Sequence, residues 1–322
     1  MTPEQFENVT PVPFKKLAER PDLLTGGHRL CAGCAESMIV RQVLMAAQLP
    51  VVVVLGTGCL EVATTIYPST AWEVPTFHCA FENASAAASG VAAAYVALKE
   101  RNRIAIPQLR VLVFAGDGGT YDIGLQSLSG ALERRTRFTY VCLNNEGYMN
   151  TGIQRSGATP FGAETTTTPP GDHVVGKVEW RKDLTDIVVA HDIPYFAQTA
   201  PSGYRPHDLK TKAAKAFAAD GPSFINVLSP CTRGWRYMPE QTVAISELAI
   251  ETCYWPLFEV INGKWRLNYK PRNKRPIQEW LAAQGRFHHL VENQTLVEKI
   301  QERIDREWDA LLARCGEAHA PA

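Results

Sequence analysis

The sequence has no net charge and no long apolar segment. Its 322 residues include 33 Lys and Arg against 33 Asp and Glu, so no overall electric field would attract nucleic acid or an anionic membrane. The longest run of small apolar residues, Ala84 to Leu98, is interrupted by Ser and Gly and is too short to span a bilayer. It predicts a buried helix. The N-terminus lacks the apolar stretch of a signal peptide. We therefore expect a soluble, cytoplasmic protein with neither nucleic-acid nor membrane partners.

Cysteine is too sparse for a secreted disulfide scaffold. Eight cysteines are spread over 322 residues, whereas small secreted domains concentrate them in short chains. In a reducing compartment such a set more often binds metal or fills small spaces in the core. Hydrophobic residues make up 45% of the chain, which is enough for a sizeable core. The role of each cysteine must therefore be decided from its neighbours.

The central part of the chain alternates predicted strands and helices. Apolar, β-branched runs that end at glycine or polar residues predict the strands. These strands are predicted at 51–55, 109–115, 138–143, 195–199 and 223–228, and the helices between them at 35–48, 83–99, 124–135, 183–191 and 207–219. Such alternation predicts an α/β fold, with a doubly wound and mainly parallel sheet.

Two flanking regions do not share this alternation. Residues 1–30 predict an irregular N-terminal arm before a single α/β domain over 31–236. Residues 237–322 predict a C-terminal extension that packs on the core or on a partner. Within this extension we expect a short helix, a hairpin that turns at Asn262-Gly263, and a charged helix over 290–312.

The strongest local pattern is Gly116-Asp117-Gly118, followed after 25 residues (119–143) by Asn144-Asn145. Both pieces stand at the end of a predicted strand, where parallel sheets bind ligands. Glycines let backbone N–H groups approach a diphosphate closely. Carboxylate and amide oxygens, as in Asp117 and Asn145, are the ligands that Mg²⁺ prefers. Either piece alone is more typical of an ordinary turn, but the two together favour a diphosphate site.

Four cysteines lie where three segments of the predicted sheet converge. Cys31 and Cys34 form a Cys-x-x-Cys pair, and Cys59 and Cys231 each follow a predicted strand. Four thiolates can bind either a [4Fe–4S] cluster or structural zinc. Zinc usually takes two adjacent pairs, whereas the second pair is split here, so the pattern favours a cluster without excluding zinc.

The remaining cysteines have no such arrangement. Cys142 lies inside an apolar strand, which predicts a place in the core. Cys79 follows His78, and for it we also favour packing. Cys253 and Cys315 have no neighbours that suggest chemistry.

Residues 146–176 form a long segment that is rich in Gly, Thr and Pro. Loops of this length inside a compact domain are usually functional or form an interface. Because the segment directly follows Asn145, we expect it to offer a surface to a partner subunit beside the site.

Together, these motifs resemble those of the 2-oxoacid:ferredoxin oxidoreductases, in their pyruvate-type β subunit. The resemblance spans nearly the whole chain and includes the segments 27–34, 116–124, 148–152, 229–231 and 284–287. It implies thiamine diphosphate, Mg²⁺ and a [4Fe–4S] cluster as cofactors. By this resemblance the cluster ligands are Cys31, Cys34, Cys59 and Cys231.

The resemblance also implies Mg²⁺ ligands, cofactor-binding residues and one catalytic residue around the diphosphate. For Tyr148 simple packing, and for Asn150 a role in holding the loop, are alternatives. The implied residues are Asp117, Asn145 and the Gly147 carbonyl for Mg²⁺, Gly116, Gly118, Gly119 and Tyr148 for the cofactor, and Asn150 for catalysis.

The implied reaction is the oxidative decarboxylation of a 2-oxoacid, with pyruvate the expected substrate, to acyl-coenzyme A and CO₂. Electrons would pass through the cluster to ferredoxin. In this family the glutamate that activates thiamine lies on the α subunit, and no segment here resembles that subunit, so we expect the chain to be inactive alone. The implied partners are the α subunit, γ and ferredoxin-like δ subunits or domains, and ferredoxin itself, with coenzyme A and the 2-oxoacid as substrates.

Other functions stay open from the sequence. A non-redox thiamine-diphosphate decarboxylase or carboligase subunit would keep the diphosphate motif but would have no use for the cysteines. A relative that acts on another 2-oxoacid, such as oxalate or an aryl or branched-chain 2-oxoacid, is a further alternative. A zinc-stabilised binding or scaffold protein would keep the cysteines and use the glycine-rich motif as a turn.

Overall fold

The computed structural model describes residues 1–317, without the side chain of Phe14, so residues 318–322 of the predicted extension lie outside the described residues. The predicted strands are present to within one residue and the helices between them to within two. The strands are β1 (Val51–Gly56), β2 (Thr76–Cys79), β3 (Arg110–Gly116), β4 (Phe138–Asn144), β5 (Tyr195–Thr199), β6 (Ser223–Leu228), β7 (Phe258–Ile261) and β8 (Lys264–Leu267).

Helices pack on both faces of the sheet and also occur near both termini of the chain. They are α1 (Pro3–Glu7), α2 (Phe14–Leu17), α3 (Ala35–Ala46), α4 (Cys59–Thr64), α5 (Ala84–Glu100), α6 (Leu125–Glu133), α7 (Leu184–Val189), α8 (Asp208–Ala218), α9 (Thr232–Trp235), α10 (Thr242–Glu251), α11 (Ile277–Ala282) and α12 (Gln294–Arg314). A π-helical turn spans Gly118–Asp122, and 3₁₀ turns span Pro239–Gln241 and Gly285–Phe287. Among residues 1–317, no helix combines the length and apolar character that crossing a membrane requires.

The eight strands form one sheet in the order β2-β1-β3-β4-β6-β5-β7-β8. Strands β1 to β6 are parallel, and β7 and β8 are antiparallel. The central strands are continuous apolar runs because a hydrophobic core covers each face. One core includes residues of α5, α6 and α10 to α12, and the other includes residues of α3 and α8. The predicted fold class, a doubly wound and mainly parallel sheet, is confirmed.

The strand order brings the candidate site residues to one edge of the sheet. Strands β1, β3, β4 and β6 are neighbours, and their register aligns their carboxyl ends. Directly after these ends come Cys59, Asp117, Asn145 and Cys231. Residues that are far apart in the sequence therefore meet because parallel strands end side by side.

Helix α5 is not the buried helix that its composition predicts. Within the chain only Ala84, Ser85 and Ala88 are buried, and Val96 is 52% exposed. The neighbouring edge strand β2 carries Phe77, which is 50% exposed. The prediction of a buried helix was therefore wrong for this chain. An Ala-rich composition shows that a helix is suited to close contact, but it does not show which chain makes the contact. Apolar side chains of α5 and β2 are therefore left exposed.

The N-terminal arm is more ordered than the sequence suggests. It contains α1 and α2, and Phe6 of α1 is fully buried, with its ring stacked on Tyr195 at a centroid distance of 5.4 Å. Leu24 is buried and bridges to Trp72. The arm is therefore packed on the sheet rather than irregular throughout.

The C-terminal extension contributes to the same sheet. The predicted hairpin forms β7 and β8, and both Asn262 and Gly263 at its turn have positive φ, 48° and 78°, as a tight hairpin turn requires. Strand β7 pairs with β5. The charged helix begins at Gln294, four residues later than predicted, and ends at Arg314. The three-part division of the chain stays a prediction.

A buried ion pair ties the hairpin to α8. Lys215 donates to both carboxylate oxygens of Glu259 at 2.7 and 2.9 Å, and the Tyr195 hydroxyl donates to the same carboxylate at 2.9 Å. Both charged side chains are nearly inaccessible, at 9% and 1%. Burial by itself would raise the pKa of Glu259, but the hydrogen bonds and charge of Lys215 lower it overall.

Glu259→Gln should lower the free energy of unfolding by about 3 kcal/mol, because it leaves the Lys215 charge buried without a counter-ion. In the wild type, the contribution of the pair is complete above the ordinary Glu pKa of about 4.3 and is lost as the pH falls through the lower folded value. Urea denaturation at neutral and acidic pH measures both effects. Glu7→Gln, which removes the exposed Glu7–Arg266 pair, is the matched control and should change stability little. Equal effects of the two substitutions would contradict this account.

Candidate functional site

The glycine-rich motif forms a turn with no room for a side chain. A Cβ at Gly118 would lie 2.3 Å from the Tyr148 ring, and one at Gly119 would lie 3.1 Å from the Phe81 carbonyl oxygen. The Tyr148 hydroxyl donates to the Gly118 carbonyl at 3.0 Å. A π-helical turn over Gly118–Asp122 separates this motif from α6, which begins at Leu125. Tyr148 therefore packs on the turn itself.

Three oxygen atoms converge beside this turn. The Asn145 side-chain oxygen lies 2.9 Å from Asp117 Oδ1 and 2.8 Å from the Gly147 carbonyl oxygen. The Asn145 amide nitrogen donates to Glu36 Oε1 at 3.3 Å. Three acceptors at such distances repel one another unless a hydrogen or a cation lies among them. Either the amide turns round, so that its nitrogen donates to both neighbours, or a cation occupies the space between the three oxygens.

Asp117 is fully buried and only partly compensated. Its Oδ2 accepts from the Ser156 hydroxyl at 2.5 Å, and its Oδ1 accepts from the Asn145 backbone N–H at 3.2 Å. Burial raises the pKa of Asp117 to about 8 against these hydrogen bonds, and nearby Glu146 adds to the rise. A cation at this position would favour the carboxylate form.

The four predicted cluster cysteines line one cavity of about 350 Å³. Cys34 caps the N-terminus of α3, Cys59 begins α4, and Cys231 caps α9. Cys31 lines the same cavity from the loop before α3. The structure thus brings together the four cysteines that the sequence analysis grouped.

The environment of these thiols disfavours bare thiolates. Burial raises the pKa of Cys34, of Cys59 and of Cys231, and the charge of Glu36 raises each further. Thiolates in such a place need a cationic centre for compensation. Among residues 1–317, no three Cys, His, Asp or Glu side chains are grouped closely enough to hold a single metal ion. The cysteines surround a space instead.

The cysteine cavity and the diphosphate cleft share a wall. Glu36, Cys59, Asn145 and Asn150 line both. The cleft is further lined by Gly116, Gly118, Gly119, Gly147 and Tyr148. All the predicted diphosphate residues except the buried Asp117 thus border a single cleft, and the cysteine cavity lies directly beside it.

Two of the residues that line both spaces, Asn150 and Glu36, have distinct surroundings. The Asn150 side chain is exposed and lies beside Cys59, where it opposes the rise that burial causes in the pKa of that thiol. Burial raises the pKa of Glu36 to about 7, with the Asn145 hydrogen bond opposing the rise. Glu36 Oε2 has no hydrogen-bond partner among the described residues. A buried carboxyl group with such a pKa can accept or release a proton near neutral pH.

Two other cysteines take the places expected for packing. Cys142 is fully buried within β4, which confirms its prediction. Cys79 is buried, and its thiol donates to the Leu55 carbonyl at 3.2 Å. Neither lines the cysteine cavity.

The comparisons with known proteins agree with this geometry. Residues 56–227, more than half of the chain, match the thiamine pyrophosphate enzyme family in its C-terminal TPP binding domain. Pyruvate synthase subunit PorB of Thermotoga maritima is 50% identical over 94% of this chain and 96% of that protein, and PorB of Methanocaldococcus jannaschii is 48% identical over 91% and 97%. The chain belongs to the pyruvate-type family of 2-oxoacid:ferredoxin oxidoreductase β subunits. It is an oxidoreductase subunit with a thiamine-diphosphate-binding domain.

Two further relatives extend the comparison. Ketoisovalerate oxidoreductase subunit VorB of Pyrococcus furiosus is 40% identical over 96% of this chain and 96% of that protein. A solved structure of 2-oxoglutarate:ferredoxin oxidoreductase from Magnetococcus marinus has a TM-score of 0.51 and 22% identity, and covers 72% of this chain and 77% of its own. At that identity the likeness shows the fold alone.

Several residues of the β-subunit site were missed by the sequence analysis. Glu36 could have been found from the sequence, since it follows the cluster candidate Cys34 by two residues in the first turn of α3. Ser156 donates to Asp117 from the long loop, and no nearby motif distinguishes it in the sequence. The loop is also less open than expected, since residues 156–163 are buried inside the chain. Arg286 was noted only as part of the segment 284–287 that carries the family resemblance, although it bonds to Glu146 beside the site.

Proposed function

We propose that this chain is the β subunit of a cytoplasmic pyruvate:ferredoxin oxidoreductase that holds thiamine diphosphate, Mg²⁺ and a [4Fe–4S] cluster. The observation that carries the proposal is the shared wall. A cleft with three converging oxygens lies against a cavity lined by four cysteines. A non-redox thiamine enzyme needs only the cleft, and a zinc-stabilised scaffold needs only the cysteines.

The spacing of the three oxygens supports Mg²⁺. Neighbouring ligands of an octahedral ion with bonds of 2.0–2.1 Å lie about 2.9 Å apart. The Asn145 oxygen lies at 2.9 Å from Asp117 Oδ1 and at 2.8 Å from the Gly147 oxygen. These residues would occupy three positions around the ion, and the diphosphate and water would complete the octahedron. The orientation of Asn145 that this requires also lets its nitrogen donate to Glu36.

The cavity supports a cluster in preference to zinc. A zinc ion draws four sulfurs to about 2.3 Å and leaves no space between them. The four cysteines here surround about 350 Å³. Cys31, Cys34, Cys59 and Cys231 would ligate the cluster through their thiolates.

The residues of the shared wall would determine how electrons and protons pass between the two cofactors. Bound thiamine diphosphate supplies the carbanion and electron sink for decarboxylation. The Asn145 side chain would bind the metal through its oxygen, while its nitrogen donates to Glu36. Cys59 is the one cluster cysteine that lines both the cleft and the cysteine cavity, so we propose that an electron leaving the cleft passes to the cluster beside this thiolate. Glu36 can exchange a proton at the same wall.

Pyruvate is proposed as the substrate because the relatives at 50% and 48% identity are pyruvate synthase subunits. The VorB relative at 40% shows that the same type of chain serves a branched-chain substrate elsewhere. Comparing kcat/KM for pyruvate and ketoisovalerate in the assembled enzyme, with coenzyme A and ferredoxin present, would decide between them.

An α subunit is proposed to complete the site. Helix α5 and the edge strand β2 leave the apolar side chains of Phe77, Val96 and Leu98 exposed, as surfaces that contact another chain commonly do. Residues 156–163 of the long loop are already buried within the chain, so α5 is the better docking surface. The γ and ferredoxin-like δ subunits, and ferredoxin as acceptor, belong to the same proposal.

The purified chain, given thiamine diphosphate, Mg²⁺, pyruvate, coenzyme A and a viologen acceptor, should show no turnover until the α subunit is added. General acid–base help from an α-subunit glutamate is worth about 10²–10⁴-fold in rate. Reduction of the viologen measures turnover, and mass spectrometry of the sample excludes other subunits. Full activity of the chain alone would refute the shared site and would make Glu36 the candidate activating group.

A further inference from the structure

Glu146 lies between the two residues that offer the side-chain and backbone oxygens of the proposed Mg²⁺ site. It is 1% exposed and has a positive φ of 64°. Such a backbone is uncommon for a residue with a side chain, and it persists where the surroundings hold it in place. Its N–H donates to Asn144 Oδ1 at 3.1 Å, and its carbonyl accepts from the Thr159 hydroxyl at 2.7 Å. The conformation of this residue sets where the Asn145 and Gly147 oxygens lie.

The Glu146 side chain is held by two residues of the C-terminal extension. The Tyr254 hydroxyl donates to Oε1 at 2.5 Å, and Arg286 Nη2 donates to Oε2 at 2.6 Å. The ion pair is completely enclosed, with 2% exposure of the Arg side chain and 0% of the Glu side chain. The carboxylate is thus fixed at both oxygens.

The Arg286 guanidinium is itself fixed by its neighbours. Its Nε donates to Gln284 Oε1 at 2.9 Å, and its Cζ lies 4.0 Å from the Trp235 ring centroid and 4.9 Å from that of Phe287. Trp235 Nε1 in turn donates to the Asn145 carbonyl at 2.7 Å. The extension therefore holds the Asn145–Gly147 segment at two points. Tyr254 and Arg286 bond to Glu146 directly, and Arg286 packs on Trp235, which bonds to Asn145.

Resting on the proposed Mg²⁺ site, we infer that Arg286 and Tyr254 are positioning residues for that site. Through the Glu146 carboxylate they hold the Asn145 and Gly147 oxygens at the spacing that Mg²⁺ requires. Mg²⁺ demands near-ideal octahedral geometry at 2.0–2.1 Å, whereas Ca²⁺ accepts longer and less regular bonds. A loosened segment should therefore lose Mg²⁺ more than Ca²⁺, while a general loss of stability should affect both equally.

The test uses the assembled complex, stripped of thiamine diphosphate, with calorimetric titration of the cofactor in Mg²⁺ and then in Ca²⁺. Tyr254→Phe removes one hydroxyl and should weaken the Mg²⁺-supported affinity by about tenfold, as loss of a residue that orients a metal ligand commonly does, and the Ca²⁺-supported affinity by less. Arg286→Gln should have a larger effect, and Arg286→Lys should recover part of it. Iron and acid-labile sulfide should be unchanged in all three.

Tyr195→Phe is the matched control, because it removes the same hydroxyl from another buried Tyr–Glu–cation group, Tyr195–Glu259–Lys215, at the far end of the sheet. It should leave both affinities unchanged. Equal losses with the two metals, or a Tyr254→Phe effect no larger than that of Tyr195→Phe, would overturn the inference while leaving the proposed function in place. Cofactor binding to the wild-type complex without any need for a divalent ion would overturn both. Should Arg286→Gln fail to fold, the Tyr254→Phe comparison decides.

Discussion

Asp117→Asn should abolish Mg²⁺-dependent binding of thiamine diphosphate, with an affinity loss of more than about 100-fold. Asp117 supplies the carboxylate of the three-oxygen group, and its Oδ1 lies 2.9 Å from the Asn145 oxygen. Without that negative charge, neither Asn145 nor Gly147 can balance the charge of the ion. Calorimetry of the stripped complex with cofactor and Mg²⁺ measures the loss.

The same substitution should leave the fold and the cluster intact. Burial disfavours the Asp117 carboxylate and raises its pKa, so an amide of the same shape removes a poorly compensated charge rather than a stabilising one. Iron content and the urea midpoint should match those of the wild type. Asp192→Asn, at an exposed carboxylate, is the control and should bind the cofactor normally. Unchanged affinity in Asp117→Asn would show that the metal is not bound here.

Cys34→Ser and Cys231→Ser should each remove the broad absorption near roughly 400 nm and most of the about four iron atoms per chain that a [4Fe–4S] cluster contains. Both thiols line the cavity from different segments of the fold, and a cubane cluster takes one cysteine thiolate on each of its iron atoms. We expect the same of Cys31 and Cys59. Anaerobic purification, visible spectra, and iron and acid-labile sulfide analysis measure the result.

Cys142→Ala is the control for the cysteine variants. Cys142 is fully buried in β4 and does not line the cavity, so its removal should leave the absorption in place. Loss of the cluster in Cys142→Ala but not in Cys231→Ser would contradict the grouping. About one zinc ion per chain, bound by the same cysteines and without visible absorption, would favour the scaffold function instead.

The two motifs could be recognised in the sequence because their pieces are short and most of them stand just after a predicted strand. A diphosphate turn needs glycines and a carboxylate next to one another, and cluster ligands must be cysteines. Parallel strands end side by side, so placing Asp117, Asn145, Cys59 and Cys231 after predicted strands was enough to predict that they meet. The central strands were readable for a similar reason, since strands covered on both faces are continuous apolar runs.

Local patterns failed where a short element or another chain decides the outcome. Strand β2 has four residues and lies at the edge of the sheet, which is too short for a period to show. Helix α5 has the composition of a buried helix, yet only Ala84, Ser85 and Ala88 are buried in this chain. Composition does not record whether a helix is covered by its own chain or by another.

The fold class and the family could thus be predicted from the sequence, and so could a set of candidate cofactor ligands, because all of these depend on residue types at strand ends. What surrounds those residues became visible only in the folded chain. Glu36 meets Asn145 across 109 residues, and Arg286 meets Glu146 across 140. Such contacts follow from how the helices and the extension pack on the sheet. No periodicity or spacing along the chain records them, since Glu36, Glu146 and Arg286 are each ordinary charged residues when the sequence is considered alone.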